Sequence, residues 1–124
     1  MLTLDRVEER SDLAAARARL ERFRDERDWA QFHGPANLAK AISVESAELL
    51  ELFLWVGGEE EEEVMAARRE EVEDELADVL IQCLNFANAT GIDPIAAVNR
   101  KIESNEARYP VDMARGNARK YTDL

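Results

Sequence analysis

The chain has 124 residues, enough for one domain with a real core and too few for two independent ones. With 46% hydrophobic and 35% charged residues, only three prolines and five glycines, its composition excludes a disordered or proline-rich chain and favours helix. A net charge of −11 argues against a binder of nucleic acid polymers, whose phosphates are held by clustered Lys and Arg. It leaves room for a phosphate-bearing small molecule, provided divalent cations invert the local electrostatics.

Cys83 is the single cysteine and cannot form an internal disulfide, and no basic segment followed by an apolar one opens the sequence. No apolar stretch reaches the roughly 20 residues that a bilayer requires. Glu48 and Glu51 interrupt one candidate, and Glu75 and Asp78 interrupt the other. These features predict a cytoplasmic protein without a membrane partner.

In chain order, the segment Ser11 to Asp28 is dense in Ala, Leu, Arg and Glu and predicts a first helix capped by Ser11. Trp29 to Pro35 carries a Gly-Pro breaker and reads as a loop. From Asn37 to Val56, Leu38, Ile42, Leu49, Leu52, Phe53 and Val56 recur at helical spacing until Gly57-Gly58. A third helix is expected from the acidic run Glu59 to Glu63 through about Ala89, ended by Thr90-Gly91. Asp93 as cap and Pro94 in the first turn start a fourth, which runs to about Ala107 before Tyr109-Pro110 breaks it. The expected fold is an all-α four-helix bundle in one domain, residues 1–124, with a core of about 11–109 and a basic tail of 110–124.

Carboxylates stand where this pattern calls for apolar residues. At about 100° per residue, Glu45 lies at the centre of the stripe of the second helix and Glu48 about 60° to one side. In the third helix Glu75 is surrounded on its face by Val72, Val79 and Phe86, and Asp78 follows three residues later. An isolated carboxylate is costly to bury, and four converging ones repel each other, so something positive must sit among them. A donor set made only of oxygen favours a hard cation, magnesium with manganese as a substitute. Buried salt bridges to Lys or Arg from other helices are the alternative. The run Glu59 to Glu63 lacks such placement and reads as a solvated helix start favoured by the helix dipole.

Trp29, Phe32, His33 and Trp55 flank the second helix and offer flat surfaces on which a base could stack, against a reading as ordinary core aromatics. The segment from Arg100 to Lys120 concentrates Arg100, Lys101, Arg108, Arg115, Arg119 and Lys120, a set able to clamp phosphates or to pair with acidic surface. Cys83 lies among apolar residues and reads as packing.

Three stretches, RDERDWAQFHGPANL, SVESAELLELFLW followed by EDELADVLIQCLNFA, and KIESNEARYPVDMARGNARKY, resemble the all-α nucleoside triphosphate pyrophosphohydrolases of the MazG-like superfamily. The resemblance is strongest to its dCTP pyrophosphatase branch. It implies a metal motif at Glu45, Glu48, Glu75 and Asp78, base contacts near Trp29, His33 and Trp55, and sugar or phosphate contacts near Lys101, Asn105, Arg108 and Tyr109. Where dCTP-hydrolysing relatives often carry Tyr, this chain has Gln82, which could read a base edge or support the metal ligands. The implied reaction is magnesium-dependent cleavage of (deoxy)nucleoside triphosphates to monophosphate and pyrophosphate, dCTP or modified dCTP foremost, with Glu48 as general base. A homo-oligomer, dimer or tetramer, is also expected, because four striped helices leave apolar area for partner subunits. The competing readings are a non-catalytic nucleotide-binding or regulatory module, and a related dUTP or phosphoribosyl-ATP pyrophosphohydrolase.

Overall fold

The computed structural model describes residues 12–124, which form two compact units, one through Gly91 and one from Ile92 onward. Among the described residues all regular structure is helical, and no helix is long and apolar enough to cross a membrane.

In the first unit, α1 spans Leu13–Glu26. Ser11, expected as its cap, lies outside the described residues, and Asp12 caps the helix by accepting from the Ala15 N–H at 2.7 Å. The C-terminus of α1 determines where Trp29 goes. Asp28 takes a left-handed conformation, φ 54°, and its N–H donates to the Asp25 carbonyl at 3.1 Å while the Trp29 N–H reaches back to Arg24 at 3.0 Å. This is a Schellman closure, in which an apolar residue just past the helix packs back onto its last turns. Trp29 does so on Phe23, edge to face with ring centroids 5.7 Å apart.

A short 3-10 turn, Ala30–Phe32, leads to α2, Pro35–Glu51. The helix begins earlier than the sequence pattern suggested, because Pro35 occupies its first turn instead of closing the loop. It also ends earlier, at Glu51. The N–H groups of Leu52, Phe53 and Leu54 bond to carbonyls three residues back, and Trp55 adopts φ 65°. The turn is thus complete before Gly57-Gly58.

The expected third helix is two helices. After the 3-10 turn Gly58–Glu60, α3 covers Glu61–Ala67 and α4 covers Arg69–Thr90, with the break at Arg68 (φ −124°, ψ 26°). No Gly or Pro marks this joint in the sequence. On its C-terminal side Arg68 pairs with Glu71 at 2.6 Å and Arg69 with Glu73 at 3.1 Å, both exposed pairs at the start of α4. Gly91, φ 73°, ends α4 as expected.

α2 packs along α4, and α1 lies against α4. Arg17 Nε donates to Asn88 Oδ1 at 3.0 Å, and Asn88 Nδ2 donates to the Arg17 carbonyl at 3.1 Å, which fixes the register of α1 on α4. Among the described residues the buried core is small, made of Leu38, Val72, Leu84 and Ala87 with the polar Asn85. Cys83, expected to pack inside, is exposed.

The second unit begins with α5, Pro94–Arg108, whose cap Asp93 accepts from the Ile95 and Ala96 N–H groups at 3.0 and 3.1 Å. After Tyr109 and Pro110 come α6, Val111–Ala114, and a 3-10 turn at Tyr121–Asp123. The basic tail is partly helical and folds back within the unit. Tyr121 meets Tyr109 edge to face at 6.1 Å, and the Arg108 guanidinium lies 4.9 Å from the Tyr121 ring centroid.

Candidate active site

Pairing α2 with α4 brings together the two acidic pairs that interrupted their apolar stripes. Each of Glu45, Glu48, Glu75 and Asp78 offers a carboxylate oxygen within 4.8 Å of the others. Glu48 is exposed and the other three are half-buried. Among the described residues none of them forms an ion pair with Lys or Arg, so the salt-bridge alternative has no support. Glu45 Oε2 and Glu75 Oε2 are buried without a hydrogen-bond partner.

Burial raises the Glu45 carboxyl above its ordinary range, a hydrogen bond shared with Glu48 raises it further, and repulsion from Glu48, Asp78 and Glu75 adds to this. Glu75 is raised in the same way, by burial first, then by the charge of Glu48 and a hydrogen bond with it, and by the charges of Asp78 and Asp74. A divalent cation would satisfy the orphaned oxygens and relieve the repulsion at once. The donors are all carboxylate oxygens, which suits a hard cation and not a thiophilic one. The cluster is therefore able to hold a metal ion.

Further along α4 lies a cavity of about 910 Å³, lined by side chains of α1 and α4 together with Trp29 and His33. Its size is that of a small-molecule site. Gln82 is on its wall, one helical turn past Asp78, or about 6 Å along the axis. Gln82 makes its hydrogen bond to Asn85 and none to the four carboxylates among the described residues. Burial pushes the His33 imidazole below its ordinary range, and the charge of Arg24 adds to this, both favouring its neutral form.

Trp55 is not on the cavity wall and stands 93% exposed at the end of α2. Lys101, Asn105 and Arg108 recur at helical spacing along one side of α5, with Tyr109 at its C-terminus, and all four are exposed.

The family model for MazG-like proteins matches residues 40–124. The chain belongs to the MazG-like family. It is 44% identical over 104 residues to dCTP pyrophosphatase 1 of Bos taurus, covering 82% of this chain and 62% of that one. The human protein of the same name is 43% identical over 104 residues, covering 82% and 61%. This MazG-like chain thus spans less than two thirds of the length of the curated relatives it matches. Among solved structures, a pyrophosphatase from Archaeoglobus fulgidus superposes with a TM-score of 0.72 at 52% identity, covering 73% of this chain and 85% of that chain.

Two side chains of this MazG-like site escaped sequence reasoning. Phe23 backs Trp29, through a helix closure that Asp28 does not announce as a Gly would. Asn85, 8% exposed, is a polar residue on the inward side of α4. Its signal was the same one that exposed the carboxylates, a polar side chain out of place on an apolar stripe.

Proposed function

We propose that this MazG-like protein hydrolyses nucleoside triphosphates to monophosphate and pyrophosphate, with magnesium held by Glu45, Glu48, Glu75 and Asp78. The observation that carries this reading is the convergence of four unpaired carboxylates within 4.8 Å, with two buried oxygens lacking any partner. The relatives named as dCTP pyrophosphatase and pyrophosphatase support it.

Magnesium, when bound, supplies Lewis-acid polarisation of phosphoryl oxygens and neutralises part of the triphosphate charge. Glu45, Glu75 and Asp78, half-buried, hold their oxygens in fixed positions. Glu48 is the exposed member and the one that water reaches, which makes it the proposed general base. Water attacks the α-phosphorus, its proton passes to Glu48, and the bond to the bridging oxygen breaks as pyrophosphate leaves.

The base enters the cavity one turn along α4, against Trp29 and within reach of His33 and Gln82. A cytosine base, free or modified, is the leading candidate, given what the mammalian relatives are named for. Trp55 is assigned a base contact, and Lys101, Asn105, Arg108 and Tyr109 contacts to sugar or phosphates. Both units are read as parts of one functional domain, since the family match spans them. A nucleotide substrate supports a cytoplasmic location for this activity.

The active form is proposed to be a dimer or tetramer. Val44, Leu50, Leu54, Leu76 and Leu80 are each about half exposed or more (47–64%), more apolar surface than so small a core leaves a stable monomer. Sedimentation at micromolar concentration should give a multiple of 14.1 kDa, and a monomer would refute the assembly.

The activity is tested by incubating the protein with common and modified deoxynucleoside triphosphates, with magnesium or chelator, and separating the products. Magnesium-dependent monophosphate and pyrophosphate are expected. Diphosphate with orthophosphate would refute the bond assignment, and tight nucleotide binding without turnover would indicate a regulatory module instead.

A further inference from the structure

Among the described residues Asn85 is the one buried polar residue, and it has a defined partner. Its Nδ2 donates to Gln82 Oε1 at 3.3 Å, across one turn of α4. Both residues line the cavity that contains Trp29 and His33. With one lone pair of its oxygen taken by Asn85, the part of the Gln82 carboxamide that stays wholly free for a ligand is its NH2 group. Among the described residues no acceptor takes that group of Gln82. Asn85 is buried and Gln82 half-buried, so Asn85 has the less room to reorient and Gln82 the more.

We propose that Asn85 is a positioning residue: by holding the Gln82 oxygen it presents the Gln82 NH2 group to the cavity, and so selects a base edge that accepts hydrogen bonds. The O2 and N3 edge of cytosine offers two acceptors. Uracil and thymine place an N3–H donor at the same position, and donor against donor leaves both groups unpaired in a partly dehydrated site. The preference thus depends on which way one amide faces, and Asn85 determines that direction. The inference rests on the nucleotide reading above, and it adds the residue that orients base selection.

The test compares wild type, Asn85→Asp, Asn85→Ala, Gln82→Leu and the double variant Gln82→Leu with Asn85→Asp, all with magnesium. Binding of dCMP and dUMP is followed by tryptophan fluorescence, and kcat and KM are measured for dCTP and dUTP. Wild type should favour the cytosine nucleotide by about tenfold. The carboxylate introduced by Asn85→Asp can only accept, so it takes the Gln82 NH2 and turns Oε1 toward the base. Asn85→Asp should therefore lower the cytosine-to-uracil ratio about tenfold, through KM and binding, with kcat for each nucleotide changed much less. In the Gln82→Leu background the same substitution should leave the ratio unchanged. Should Asn85→Asp lose its helical circular dichroism, Asn85→Ala takes its place and should bring the ratio toward one.

An equal loss for both nucleotides in the Asn85 variants would show a structural role only and overturn the proposal. A wild type without preference, or with preference for uracil, would overturn it as well. Absence of wild-type turnover would count against hydrolysis, and the monophosphate binding ratio would still decide the role of Asn85.

Discussion

Two acidic regions of this chain have nearly the same composition and opposite circumstances. Glu59 to Glu63 form an exposed run at the start of α3, where helix N–H groups and water receive their charge. Glu45, Glu48, Glu75 and Asp78 are fewer, yet they converge within 4.8 Å, two with buried orphan oxygens and with proton affinities raised by burial. What separates the two is the phase of each carboxylate on an apolar stripe, not the amount of acid. Only the second arrangement stores an electrostatic cost that a cation can remove.

The sharpest way to break this comparison is to neutralise one member of each set. Glu75→Gln should lower magnesium-dependent turnover by about 10³-fold, measured as pyrophosphate release at saturating nucleotide. Turnover equal to wild type would remove the cluster from the mechanism. Next in size is the effect of the metal on folding. At about 100 times its dissociation constant, magnesium should stabilise the wild type by about 2.7 kcal/mol in denaturant titration, with much less gain in Glu75→Gln.

The pH dependence sharpens the same contrast. A carboxyl raised in the fold holds its proton more tightly folded than unfolded, so its contribution is present below the ordinary value of 4.5 and lost as pH climbs through the raised value. In chelator, wild type should lose stability relative to Glu45→Gln as pH rises just above 4.5, and magnesium should abolish the difference. A difference that grows as pH falls would contradict the assignment. Trp29→Ala should raise KM about tenfold while kcat changes less, because it removes a stacking surface and no ligand of the metal. The smallest effect belongs to the exposed run. Replacing Glu61, Glu62 and Glu63 together by Gln should cost a few tenths of a kcal/mol, through the lost helix-dipole interaction, and leave turnover within about twofold.

The fold class and the four carboxylates were legible because both are matters of period. Helical spacing placed Glu45 and Glu75 among apolar neighbours, and no further information was needed to see that they were out of place. The break at Arg68 was not legible, since no Gly or Pro marks it and Ala67, Arg68 and Arg69 are all good helix formers. The early end of α2 was hidden for a related reason, because Trp55 takes the left-handed position expected of a glycine such as Gly57. Trp29, singled out from the sequence as a possible stacking surface, lines the cavity, but its orientation depends on the Schellman closure at Asp28 and the ring of Phe23. Asn85 was legible in principle and missed in practice, for its polarity matters only beside the amide of Gln82.

The central question is whether the cluster binds a divalent cation and the acidic run does not. Titration calorimetry with magnesium and manganese, on wild type, Glu75→Gln and the Glu61, Glu62 and Glu63 triple Gln variant, tests this directly. The structure predicts a saturable cation site in wild type and in the triple variant, weakened at least about tenfold in Glu75→Gln. Equal affinity in wild type and Glu75→Gln, or a loss confined to the triple variant, would contradict it.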